Sequence, residues 1–151
     1  MGPCLALALI MLVVAGCGGS TNSTTSAPFP PKTKADLHAL ANSSPETLTV
    51  MGRDESSAPP RTAALFVVVP HGLSESQQVA ALLKVLYHQH LDKKVGHVLG
   101  SAVVLGYRNT REIGSRFTAG RVELDAGKDG RRTMILDANG GSAQQEWKLT
   151  Y

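Results

Sequence analysis

Cysteine is almost missing from this chain. The two that occur, Cys4 and Cys17, both lie near the N-terminus, so nothing after position 17 carries a thiol. That excludes a disulfide framework, a cysteine metal centre and a thiol nucleophile from the rest of the molecule. Stability must then come from an apolar core. Aromatic residues are also scarce, at 5% of the sequence, which argues against a large aromatic-lined ligand site. The net charge of +3 is mild and the basic residues are scattered, which argues against a nucleic-acid partner. No phosphate-cradling glycine-rich motif is present. Ser115 lies in Gly-Ser-Arg rather than Gly-x-Ser-x-Gly, so no nucleophile elbow is supported. Glu123, Asp125, Asp129 and Asp137 form no evident acid/base pair. His88 and His90 stand two apart, a spacing that separates them on a helix. No catalytic residue, metal site or cofactor is expected from these patterns.

What the sequence does have is an uncharged apolar run, Leu5 to Ala15, ended by Val14-Ala15-Gly16-Cys17. Its length suits the apolar region of a secretory signal, about 7–15 residues, and falls short of the roughly 20 needed to span a bilayer. The order Val-Ala-Gly-Cys resembles the lipobox of bacterial lipoproteins. That resemblance implies cleavage between Gly16 and Cys17, acylation of the Cys17 thiol with a chain such as palmitate, and a membrane-anchored location outside the cytoplasm, in the cell envelope. The sequence departs from the pattern in one respect: Met1-Gly2-Pro3-Cys4 contains no Lys or Arg. An uncleaved apolar span or core helix is the competing reading.

Four segments follow from the pattern: a signal peptide at 1–16, a lipidated cysteine with a flexible tether at 17–34, a stretch of mixed signals at 35–60, and an α+β domain at 61–151. The tether is rich in Gly, Ser, Thr and Asn, then stiffened by Pro28-Phe-Pro-Pro31. Within 35–60, Leu37, Leu40 and Ala41 suit one side of a short helix, and Thr47 to Met51 alternates like an edge strand.

From Arg61 the periodicity sharpens. Ala63 to Val69 is a continuous apolar, β-branched run and predicts a buried strand. Ser74 three residues before Gln77 predicts a capping box opening a helix, with Val79, Leu82, Leu83, Leu86, His90 and Leu91 on its core-facing stripe. His97 to Gly106 predicts a second strand, completing a βαβ unit. Phe117 to Leu124 predicts a third, with Phe117 and Ala119 inward, and Thr133 to Leu136 a fourth. Asn139-Gly140 predicts a hairpin turn before an alternating last strand carrying Trp147, Leu149 and Tyr151. The sum is a single small α+β domain, with a mostly antiparallel sheet of about five strands and one main amphipathic helix. Phe66 to Val69, Val104 to Arg108 and Gly114 to Gly120 resemble a group of small uncharacterised bacterial α+β domains, a resemblance that brings no activity.

The candidate site residues lie in two connections. His71 follows a central strand and precedes a helix, a position where α/β sheets place ligands. Tyr107, Arg108, Arg111 and Arg116 form a basic loop suited to carboxylate or phosphate. Three function classes follow. The first is a lipid-anchored envelope protein with a non-catalytic binding or structural domain, joined to the membrane through Cys17 and meeting an envelope protein or polymer partner. The second is a small envelope enzyme using His71 or the 107–116 loop. The third is a solute- or polymer-binding module.

Overall fold

The structure is a computed structural model that describes residues 27–138 and 146–151. The lipobox and the Asn139-Gly140 turn lie outside the described residues. The described chain forms one α+β domain around a six-stranded sheet in the order β1-β2-β3-β4-β5-β6. The strands are β1 (Val50–Glu55), β2 (Thr62–Val68), β3 (Ser101–Tyr107), β4 (Arg121–Ala126), β5 (Arg132–Asp137) and β6 (Glu146–Thr150). Only β2 and β3 run parallel; the other four neighbouring pairs are antiparallel. The sheet is therefore mostly antiparallel, with six strands where the pattern predicts about five. The added strand is β1, which the alternation of Thr47 to Met51 anticipates as an edge strand only at its first residues; its Arg53-Asp54-Glu55 end carries no hydrophobic alternation. It pairs with β2 at the sheet edge, where charged side chains are tolerated on both faces.

The parallel pair is joined through α2 (Glu75–His88) and a one-turn α3 (Leu91–Lys94). The predicted capping box opens α2: Ser74 accepts from the Gln77 amide, and the Gln77 side chain accepts from the Ser74 amide. The helix lays Val79, Leu82, Leu83 and Leu86 on the sheet with no measurable exposure. Burying each side chain contributes at most about 1.5–3 kcal/mol. The helix ends sooner than the stripe predicts. Its cap follows His88, and His90 turns left-handed at φ 54°, exposed to solvent rather than on the core side. Leu91 re-enters the core from α3.

A second helix, α1 (Lys34–Ser43), packs beside α2 through Leu37, Leu40 and Ala41. Thr33 and Asp36 close its N-terminus reciprocally. Ahead of it, Ala27 and Phe29 pack against the core, and Phe29 meets Trp147 of β6 edge to face at 4.7 Å. Trp147, Leu149 and Tyr151 all turn to this side, as their alternation predicts.

All of these helices lie on one face of the sheet. The buried residues of β2 to β5 share one parity: Ala63, Leu65 and Val67; Ala102 and Val104; Val122 and Leu124; Met134 and Leu136. The opposite parity faces away. Across it, Ala64, Val103, Glu123, Ile135 and Lys148 stand side by side on neighbouring strands, with Phe66, Leu105 and Arg121 in the next row. Phe66, Val68, Val103, Leu105 and Ile135 are only part-buried and belong to no core cluster. Among the described residues no α-helix covers this face; the loop after β3 closes only its end at Tyr107.

Candidate functional site

The parallel pairing brings the two predicted site segments to one end of the sheet. Beyond β2, the Val69 amide still donates to the Tyr107 carbonyl at 2.9 Å, so the Pro70-His71-Gly72 turn and the loop after β3 leave side by side. Hydrogen bonds then tie them together. The Arg108 guanidinium donates to the Pro70 carbonyl at 3.1 Å and to Gln78 Oε1 at 3.0 Å. Gln78, buried in the first turns of α2, donates its own amide to the Leu73 carbonyl at 2.9 Å. Arg108 therefore braces strand, turn and helix through neutral acceptors.

The loop itself closes on Glu112. That carboxylate accepts from the Thr118 hydroxyl, from the Arg108 amide at 3.2 Å and from Asn109 Nδ2 at 2.7 Å. These bonds, the Thr118 one foremost, hold the Glu112 pKa below the usual glutamate range. Tyr107 is 1% exposed and donates to the Ser115 carbonyl at 3.2 Å, so its ring anchors the loop from beneath. Arg111 and Arg116 are exposed on the loop, and His71 is exposed on the turn. The structure thus brings all five candidates to the same end and gives them different surroundings. Tyr107 and Arg108 are built into the fold, while His71, Arg111 and Arg116 face solvent. Among the described residues no side chain hydrogen-bonds to His71, and no nucleophile–base pair forms around it.

A second polar cluster was missed by sequence reasoning. At the other side of α2, Tyr87 stacks on His38 with ring centroids 4.3 Å apart. Among the described residues the buried Tyr87 hydroxyl and Asp92 Oδ1 have no hydrogen-bond partner. Burial, and then Tyr151 and Asp92, push the Tyr87 pKa far above that of an ordinary phenol. Burial also raises Tyr151. Both rings are therefore neutral donors, unsuited to nucleophilic or base chemistry at neutral pH. Arg132 ties the cluster to α3 by donating to the Asp92 backbone carbonyl at 2.8 Å, and the Lys34 ammonium stands 5.7 Å from the Tyr151 ring. These residues lie far apart in the chain and carry no shared motif. No sequence signal marks them beyond the alternation that turns Tyr151 inward.

The unpartnered hydroxyl makes a measurable prediction. A buried donor without an acceptor is destabilising, and phenylalanine keeps the ring on His38 while removing it. Tyr87→Phe is expected to raise stability by about 1 kcal/mol, read as a higher urea midpoint at unchanged slope.

A third feature is a recess of about 130 Å³ between β1 and the C-terminal half of α2. It has apolar walls from Leu48, Val50 and Val85 and a rim that includes Lys84 and His88. The Lys84 ammonium already donates to the Ser44 carbonyl at 3.0 Å. The recess is smaller than the roughly 300–1,000 Å³ of a typical small-molecule site. Among the described residues no group of three His, Cys, Asp or Glu is placed to hold a metal ion, and no helix is long and apolar enough to cross a membrane.

Compared with family models, with curated proteins and with solved structures, the chain matches none. The geometry also leaves the face of the sheet opposite the α-helices. At one end Tyr107, on this face, is buried beneath the loop after β3, and the rest has an apolar centre on β2 and β3.

Proposed function

We propose that this chain is a lipid-anchored lipoprotein of the cell envelope whose α+β domain is a non-catalytic binding module, working through the uncovered face of its sheet. The anchor rests on Val14-Ala15-Gly16-Cys17 after an apolar run of signal length. The binding reading is carried by one observation: Phe66, Val68, Val103, Leu105 and Ile135 stand part-exposed on a sheet face that the helices leave open. Phe66, Val68, Val103 and Leu105 are neighbours on β2 and β3, and an exposed apolar patch with polar neighbours is a mark of an interaction surface. The polar end of the sheet supports the same reading. Arg108 and Tyr107 serve there to hold the loop, and among the described residues no side chain is bonded to His71.

Two experiments test the two halves. The intact mass of the chain from the membrane fraction is expected to give an N-terminus at Cys17 with added acyl mass, and Cys17→Ala is expected to lose it. An intact Met1 without lipid sinks the anchor. For the domain, photo-crosslinkers at Val103 and at Ala39, an exposed position on α1, are compared in cells. Adducts at Val103 alone are expected; adducts at Ala39 alone sink the open-face reading.

A further inference from the structure

The uncovered face is unevenly charged. Its register places five carboxylates there, Asp54, Glu123, Asp125, Asp137 and Glu146, of which Asp137 is buried, against two cations, Arg121 and Lys148. Both cations are already engaged. Arg121 is shared between Glu123 at 3.2 Å and Glu146 at 2.8 Å, and Lys148 reaches the other Glu146 oxygen at 3.1 Å. Asp54 and Asp125 form no ion pair among the described residues. Burial, and then Asp125, raise the Glu123 pKa against the pull of Arg121. Yet the chain as a whole carries +3, so this face is an acidic island on a basic molecule.

The charge is placed among apolar neighbours. Glu123 stands between Val103 on one side and Ile135 on the other, about 5 Å away across the strands. A second copy of this chain seated face to face would set carboxylates against carboxylates, and an anionic lipid surface would be repelled. What complements the face is positive charge flanked by apolar side chains at similar spacing. We propose that the open sheet face docks a cationic amphipathic protein segment, with Lys or Arg side chains on Glu123, Asp125 and Asp54 and apolar side chains on Val103, Leu105 and Ile135.

This inference rests on the reading of the open face as the binding surface, and the experiment separates the two. The full chain, purified in a non-ionic detergent, is titrated with three fluorescent synthetic peptides of one length: Leu with Lys, Leu with Glu, and Leu with Ser. The Lys peptide is expected to bind, at least about ten-fold more tightly than the other two, and to weaken as salt is raised. The pair Glu123→Gln and Asp125→Asn is expected to weaken it about ten-fold. The pair Glu46→Gln and Asp129→Asn, which makes the same charge change off this face, is expected to leave it unaltered. Equal loss in both pairs overturns the proposal, because it reports net charge and not a site. Tighter binding of the Ser peptide overturns the cationic partner and leaves the open-face reading standing. Binding of none overturns both. Concentration-dependent dimers abolished by the Glu123 and Asp125 pair assign the face to a second copy instead and overturn the proposal. The lipid on Cys17 is read by mass and is independent of each of these outcomes.

Discussion

Gly120→Ala is expected to destabilise the domain by about 3 kcal/mol, lowering its melting temperature on the order of 10 °C. Two costs add at this position. The backbone sits at φ 106°, a conformation that an L side chain adopts only under strain. A Cβ built there would also lie 2.7 Å from the Asp137 carbonyl oxygen and 3.2 Å from Leu82 Cδ1. Neither neighbour can readily yield. Asp137 belongs to β5, paired with Arg121 of β4, and Leu82 is fully buried under α2. The Gly120 carbonyl accepts the Gly106 amide at 2.9 Å, so displacing it disturbs the start of the β3–β4 pairing as well. Gly72→Ala is the control. It has φ 84° but nothing within 4 Å of the added carbon, so only the backbone term remains, about 1 kcal/mol. Urea unfolding of both variants measures the difference, which is the packing term alone. Equal costs would mean that the close approach to Asp137 contributes nothing.

Arg108→Ala is expected to cost about 2 kcal/mol, because two charge-assisted hydrogen bonds disappear and buried Gln78 loses an acceptor role it fills only with this guanidinium. Arg108→Lys should recover part of the loss, since an ammonium cannot reproduce the two-pronged reach to Pro70 and Gln78. His71→Ala, on the neighbouring turn, exposed and without a side-chain partner among the described residues, should fall within about 0.5 kcal/mol of the parent. The comparison is diagnostic. An arginine kept for a ligand can be removed without loss of stability; an arginine that fastens a loop to a helix cannot. Denaturation midpoints of the three variants decide it, and an unchanged midpoint for Arg108→Ala would return Arg108 to the ligand side.

Part of this architecture was legible in the sequence. The Ala63–Val69 run and the Ser74–Gln77 box are strong local signals, and they place β2 and the start of α2 correctly; the strand expected from His97 begins only at Ser101. The alternation of Trp147, Leu149 and Tyr151 placed their common face. Other features depend on contacts that no local pattern encodes. The charged end of β1 is set by pairing with β2, while only its first residues fall within the Thr47–Met51 alternation. The end of α2 is set by a left-handed turn at His90, which apolar spacing cannot foresee. Phe117 was expected inward, but it precedes β4 and lies half-buried in the loop, with the Arg121 guanidinium 5.4 Å from its ring. The open face was hidden for a related reason. Ala102, Val103, Val104 and Leu105 are all apolar, so β3 reads as covered on both sides. Only the helices' shared choice of one face shows which half is left over. The candidate residues came together at one end because β2 and β3 are parallel, which was legible. That Tyr107 and Arg108 brace the loop there was not, since the bonds to Ser115, Pro70 and Gln78 depend on the folded loop.

The contact between Phe29 and Trp147 also sets a leash. The chain is part of the folded body from Ala27 onward, so ten residue steps separate it from Cys17. Fully extended, that length reaches only about 35 Å. With lipid on Cys17 as proposed, the domain sweeps a shallow cap above its own patch of bilayer and no more. A partner held in the same membrane and within that radius meets it at an effective concentration on the order of millimolar. Such a partner would need little intrinsic affinity, and one standing further from the bilayer than the leash allows would not be reached at all.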